Sequence, residues 1–135
     1  MIEFLNSLGE QEISLEERAR REEIVPFIVL VRHPPFYAEL ALEYSIFELQ
    51  QLSGYLQTML FELKESTFVF SSLGREMLIS LQMSNTGHIE AEVFINAGTR
   101  GYMKYRFDFD QSFLQRLIEQ VNNVIKINSY GNHPK

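Results

Sequence analysis

A chain of 135 residues that is 45% hydrophobic and 13% aromatic, with 11 Phe and 6 Tyr, has the length and apolar material for one domain with a real core. It has no cysteine, which excludes disulfides and thiolate chemistry and permits a reducing compartment. The formal net charge of −6 is uneven: residues 1–23 hold seven Glu against three Arg, and the rest hold 11 acids against 9 bases. Phosphate backbones repel such a surface and no Lys/Arg cluster offsets it, so nucleic-acid binding is disfavoured and a basic protein partner is favoured.

In chain order, residues 10–23 carry a capping-box pattern, Ser14 with Glu17 three residues on. Only Ile13, Leu15 and Ala19 could anchor a helix there. Residues 1–23 therefore read as a charged arm or a short helix ahead of a single α+β domain over 24–128, with a frayed tail at 129–135. Met1 to Gly9 lacks the basic start and long apolar run of a secretory signal, and no stretch approaches the ~20 apolar residues of a membrane span. No membrane contact and a cytoplasmic location are expected.

Ile24 to Val31 is short, apolar and β-branched, a buried strand with Pro26 near its start or at a sheet edge. Pro34 and Pro35 break the chain, and an alternating segment follows with Phe36, Ala38, Leu40, Leu42 and Tyr44 on one face. Ser45 to Glu48 is a second capping box; behind it Phe47, Leu49, Leu52, Leu56, Met59, Leu60 and Leu63 make a helical stripe ending near Lys64. Gly54 weakens that helix, and close packing against the sheet would explain it.

Four strands are predicted next, over 67–70, 75–83, 88–95 and 101–109, with turns at Asn85–Gly87 and Asn96–Gly98. Asp110 or Ser112 then caps a last helix striped by Phe113, Leu114, Leu117, Ile118, Val121, Val124 and Ile125. The order β-β-α-β-β-β-β-α implies one antiparallel sheet of about five to six strands with both helices on one face, and no internal repeat is visible.

Chemistry-bearing groups are few. His33 beside two prolines reads as a partly exposed loop histidine, and His133 lies in the tail. His88, Glu90 and Glu92 share one face of a strand and could hold a divalent metal. The simpler reading is a solvated sheet face whose carboxylates pair with Lys104 and Arg106 of the next strand. Asp108 and Asp110 flank the last strand-to-helix junction as end caps. Gly98-Thr-Arg-Gly101 lacks the Lys-Ser/Thr of a phosphate loop, and no Gly-x-Ser-x-Gly elbow occurs. No cofactor, no metal and no catalytic group are expected, so the chain reads as a binding protein rather than an enzyme.

Leu78-Ile-Ser-Leu81, Gly87-His-Ile-Glu-Ala-Glu92, Tyr105-Arg-Phe-Asp-Phe-Asp-Gln-Ser-Phe-Leu114 and Leu117-Ile118 together resemble the WapI-type immunity proteins that accompany contact-dependent polymorphic toxins. The likeness runs over roughly 25–127 and is sharpest over 78–118. It implies a bacterial cytoplasmic antidote that binds and blocks a cognate toxin domain, often a basic nuclease, and brings no catalytic residues. On that reading an acidic outer face of the sheet, formed by Glu39, Glu43, Glu90, Glu92 and Asp108 with Tyr37 and Tyr102 as aromatic anchors, binds the toxin. Two other classes stay open: a self-associating structural or adaptor module, homodimeric through a sheet edge or a swapped N-terminal arm, and a small metal-dependent enzyme built on His88, Glu90 and Glu92.

Overall fold

The computed structural model describes residues 1–19, 22–62 and 64–130. The class is α+β with antiparallel sheets and two helices, as the patterning implies, but there are two sheets rather than one. Strands β1 (Ile2–Leu5), β2 (Gln11–Glu17), β3 (Ile24–His33) and β4 (Phe36–Ser45) pair in sequence order and lead into helix α1 (Ile46–Phe61). Strands β5 (Ser66–Ser71), β6 (Met77–Met83), β7 (Ile89–Asn96) and β8 (Tyr102–Phe109) do the same and lead into helix α2 (Leu114–Tyr130). The chain thus runs twice through four antiparallel strands and a helix, a repeat of architecture that the sequence does not display as a repeat of residues.

The largest correction lies at the N-terminus. Residues 2–17 are neither arm nor helix but a hairpin that completes the first sheet. Ile2, Phe4, Ile13 and Leu15 are fully buried, a two-residue alternation only two beats long in each strand. Ser14 pairs across to Glu3 and Leu30 in the sheet, so its spacing to Glu17 caps nothing. Asn6 builds the turn: its side-chain oxygen accepts the N–H groups of Leu8 and Glu10, both at 3.0 Å, and Gly9 supplies the positive φ of 82°.

Elsewhere the alternation is read correctly. Val25, Phe27, Val29 and Val31 point inward, as do Leu42 and Tyr44, the Met77–Met83 and Ile89–Ile95 sets, and Tyr105, Phe107 and Phe109. Ser45 caps α1 by accepting the Glu48 N–H at 3.0 Å; Glu48 does not close the box but accepts the Ser71 N–H of β5 at 3.1 Å. Phe47 is 65% exposed, and Ile46 takes the inward place expected of it. Gly54 is exposed with no atom within 4 Å of where a Cβ would sit, so packing does not explain it. Leu63 and His133 lie outside the described residues.

One cluster of buried residues joins the inward faces of both sheets to both helices. Phe70 of β5 stacks on Tyr44 of β4 (4.6 Å between centroids) and meets Phe4 of β1 (6.5 Å), binding sheet to sheet. Each helix packs against the first strand of the opposite half, α1 on β5 and α2 on β1, and the helices touch each other where Ser53 donates to Asn122. On β1 the Glu3 N–H donates to Gln120 of α2 at 2.8 Å, and the Glu3 carboxylate accepts from Arg116 (2.8 Å), Gln120 (3.0 Å) and Gln11 (2.7 Å). Burial pushes the Glu3 carboxyl up, but those hydrogen bonds and the Arg116 charge outweigh it and hold it below its ordinary value of 4.5.

Two outcomes follow from this packing. Phe4→Ala should cost about 3–5 kcal/mol in denaturant melts, where a mobile arm would register no change. Glu3→Gln should cost roughly 1–2 kcal/mol at neutral pH. Because the folded-state pKa of Glu3 is the lower one, that difference is complete above pH 4.5 and closes as pH falls through the lowered value, which melts recorded across the acid range would follow.

Candidate protein-binding face

The seven residues assigned to one acidic face do not share one. Tyr37, Glu39 and Glu43 lie on β4 of the first sheet, whereas Glu90, Glu92, Tyr102 and Asp108 lie on β7 and β8 of the second. Both sheets turn their inner faces to the common core, so the two groups occupy the outer faces of different sheets.

The outer face of the second sheet is a lattice of ion pairs. Glu92 sits opposite Arg106 in the β7–β8 ladder, and Arg106 reaches Glu92 at 2.9 Å and Glu90 at 3.7 Å, while Lys104 lies 3.7 Å from Glu92. The expected cross-strand pairing is what these carboxylates do. His88 is separated from Glu92 and instead lies 3.2 Å from Asp108. His88, Glu90 and Asp108 hold ligand-type atoms within 4.8 Å of one another, but His88 and Asp108 are exposed and each member is engaged with a neighbour of opposite charge potential. Tyr102, 76% exposed, leans on Phe94 at 5.9 Å.

His33 is not a loop residue. It ends β3, and its Nδ1 lies 2.7 Å from the Glu12 carboxylate, while its ring stacks on Tyr105 of β8 at 4.4 Å. Phe4 pairs with Ile13 and Leu5 with Gln11, so Glu12 is the extra residue of a β-bulge, which re-aims its side chain to His33. Asn6 donates to the same carboxylate at 2.9 Å. The Tyr105 hydroxyl is buried and, among the described residues, unpartnered; burial first and the Glu12 charge second push its pKa up. A carboxylate–imidazole pair can orient a base, but the stacked tyrosine presents its ring rather than its hydroxyl, and among the described residues no serine or threonine hydroxyl reaches His33. The arrangement ties the bulge to the second sheet.

The outer face of the first sheet differs in kind. Pro26, Ile28 and Leu30 on β3 face Glu43, Ala41 and Glu39 on β4, one pair after another, and Arg32 faces Tyr37. Ile28 and Leu30 are only partly buried, Ala41 is exposed, and Tyr37 is 67% exposed. Two shallow grooves follow this strip: one of about 490 Å³ between Arg18, Pro26, Ile28, Ala41 and the exposed Leu73, and one of about 260 Å³ beside Leu30, Arg32, Tyr37 and Glu39. Glu16, Glu39, Glu43 and Glu76 border the apolar strip together with Arg18 and Arg32, and Arg75 and Arg100 line a further groove beside Ala41 and Glu76. An apolar centre with a charged rim containing an exposed tyrosine has the composition of a protein interface. Alternation placed Tyr37, Glu39 and Glu43 here; it missed Ile28 and Leu30, because an apolar run gives no sign of which face is left open.

No protein-family model matches the chain, and no curated protein does. Among the described residues no helix is long and apolar enough to cross a membrane.

The two faces of β3 should respond differently to substitution. Leu30→Lys, on the open face, should change stability by less than about 1 kcal/mol. Val29→Ala, on the buried face, should cost about 2 kcal/mol, so chemical denaturation of the two variants separates an open face from a covered one.

Proposed function

We propose that the protein is an immunity-like antidote that binds a basic bacterial toxin domain through the outer face of its first sheet and blocks it by occlusion. The observation that carries this reading is the apolar strip of Pro26, Ile28, Leu30, Ala41 and Tyr37 lying open within a charged border that includes the exposed Glu39. Apolar area that can be removed from water supplies affinity at roughly 25 cal/mol per Å², and the surrounding carboxylates steer a cationic surface towards it. The likeness of residues 78–118 to the WapI-type immunity proteins supports the same partner class, because toxins that cleave nucleic acid need basic clefts. A cytoplasmic location accords with that role.

Compared with the acidic face expected from the sequence, the proposed surface keeps Tyr37, Glu39 and Glu43 and gives a lesser part to Glu90, Glu92, Tyr102 and Asp108. Carboxylates already paired with Lys104 and Arg106 must give up those partners before meeting a new cation.

The test is calorimetric titration with the toxin domain encoded beside this chain. Leu30→Lys and Tyr37→Ala should each weaken binding by about tenfold or more, a loss of ~1.4 kcal/mol or greater, and Glu39→Lys should slow association and flatten its salt dependence. Unchanged affinity in all three variants would exclude this face, and loss of affinity on Glu90→Lys alone would move the site to the second sheet.

A further inference from the structure

Two open sheets present four edge strands, and three of them make a hydrogen bond beyond their own sheet. The Glu3 N–H of β1 donates to Gln120 of α2 at 2.8 Å, the Ser71 N–H of β5 to Glu48 of α1 at 3.1 Å, and the Glu43 carbonyl of β4 accepts the Leu73 N–H at 2.7 Å. The fourth, β8, is eight residues long and pairs with β7 alone; among the described residues no hydrogen bond reaches its outer side. A long free edge is a template for another strand.

The side chains of β8 say which strand. Tyr102, Lys104, Arg106 and Asp108 point outward, and Asp110 prolongs the row, its backbone extended at φ −89° and ψ 134°. In an antiparallel pair, residues directly opposite share a face. Two copies of β8 related by a two-fold axis can therefore pair only in registers centred on a residue. Centred on Tyr105, Lys104 meets Arg106 twice; centred on Arg106 or on Asp108, that residue meets its own copy. Centred on Phe107, each Arg106 meets Asp108 of the other copy and each Lys104 meets Asp110, giving four opposite-charge pairs and no like-charge pair. On the inner face the same register sets Tyr105 against Phe109 and Phe107 against Phe107, so the aromatic row continues across the axis.

A second observation points to the same occupant. Within one protomer Glu90 stands directly opposite Asp108 in the β7–β8 ladder, with Arg106 3.7 Å from Glu90 and His88 3.2 Å from Asp108. The register centred on Phe107 places Arg106 of the partner subunit on the far side of the exposed Asp108, adding a guanidinium group beside two carboxylates.

We infer that the protein forms a two-fold homodimer by antiparallel pairing of β8 with β8 about Phe107, joining two four-stranded sheets into one of eight strands. The open face of the first sheet is left free, so this association stands or falls independently of the toxin-binding reading.

Sedimentation equilibrium of the full chain over a wide concentration range tests it. The unaltered protein should be dimeric. Arg106→Asp and Asp108→Arg should each raise the dimer dissociation constant roughly tenfold or more, since each turns two attractive pairs into repulsive ones. An equimolar mixture of the two variants should associate again, because every opposed pair is then complementary, and the double variant carrying both changes should also recover the dimer. Far-UV circular dichroism checks that each variant is folded. Lys104→Glu, which sets a carboxylate against Asp110 of the partner subunit, gives the same readout if either of the first two fails to fold. A protein monomeric at every concentration, or a dimer that the single variants leave intact, would overturn the inference.

Discussion

The fold depends on an exchange of helices. Each half builds four antiparallel strands and a helix, yet the helix packs against the first strand of the other half, α1 on β5 and α2 on β1. The buried residues of both halves form one core, where two small ones would be marginal. The exchange also solves the edge problem at two places. A backbone N–H at the rim of each sheet, Glu3 in one and Ser71 in the other, finds its acceptor on the helix contributed by the opposite half, Gln120 and Glu48 respectively. Glu3 becomes the N-terminal anchor because α2 brings Arg116 and Gln120 to it from the far end of the chain.

Besides the outer sides of the helices, where Phe47 and Phe61 of α1 are exposed, the outer sheet faces and the free edge of β8 are left to meet another molecule. The second sheet fills its face with Glu90, Glu92, Lys104 and Arg106 already paired with one another. Exposed pairs of that kind are worth about 0–1 kcal/mol each and mainly keep a surface soluble. The first sheet leaves Ile28 and Leu30 partly open, and apolar area gains free energy only when something covers it. The two outer faces therefore differ in kind, one partly apolar and open, the other covered by paired charges.

The second half of the chain was legible because its strands carry clean two-residue alternation: Met77, Ile79, Leu81 and Met83, then Ile89, Ala91, Val93 and Ile95, all buried. The first 23 residues were not, for a physical reason. Ile2 with Phe4 and Ile13 with Leu15 give only two apolar beats per strand, too short for periodicity to outweigh seven Glu and a fortuitous Ser-x-x-Glu spacing. The count of sheets failed because each strand's pattern reports which of its faces is buried but not which strands it pairs with, and eight strands divide equally well into one sheet or two. The split of the expected site follows from that error: Tyr37 and Glu39 share a face with each other, but not with Glu90 and Asp108. His33 and Glu12 were illegible as a pair because a bulge, invisible in the sequence, turns Glu12 to the histidine.

Charge read by segment also needed revising. The acid-rich N-terminus reads as a charged arm, but its carboxylates are largely engaged within the protein. Glu3 holds Arg116, Glu12 holds His33 and Asn6, Glu16 lies 3.5 Å from Arg18, and Glu17 lies 3.0 Å from the N-terminal amine. A carboxylate with a partner projects little field beyond it, so the potential that a cationic molecule meets is set by position and pairing rather than by the sum over a segment. On β4, Glu39 is exposed beside Tyr37, and among the described residues no cation is paired with it. Exposed charge and open apolar surface thus lie side by side on the β4 side of the first sheet, and not at the acidic N-terminus.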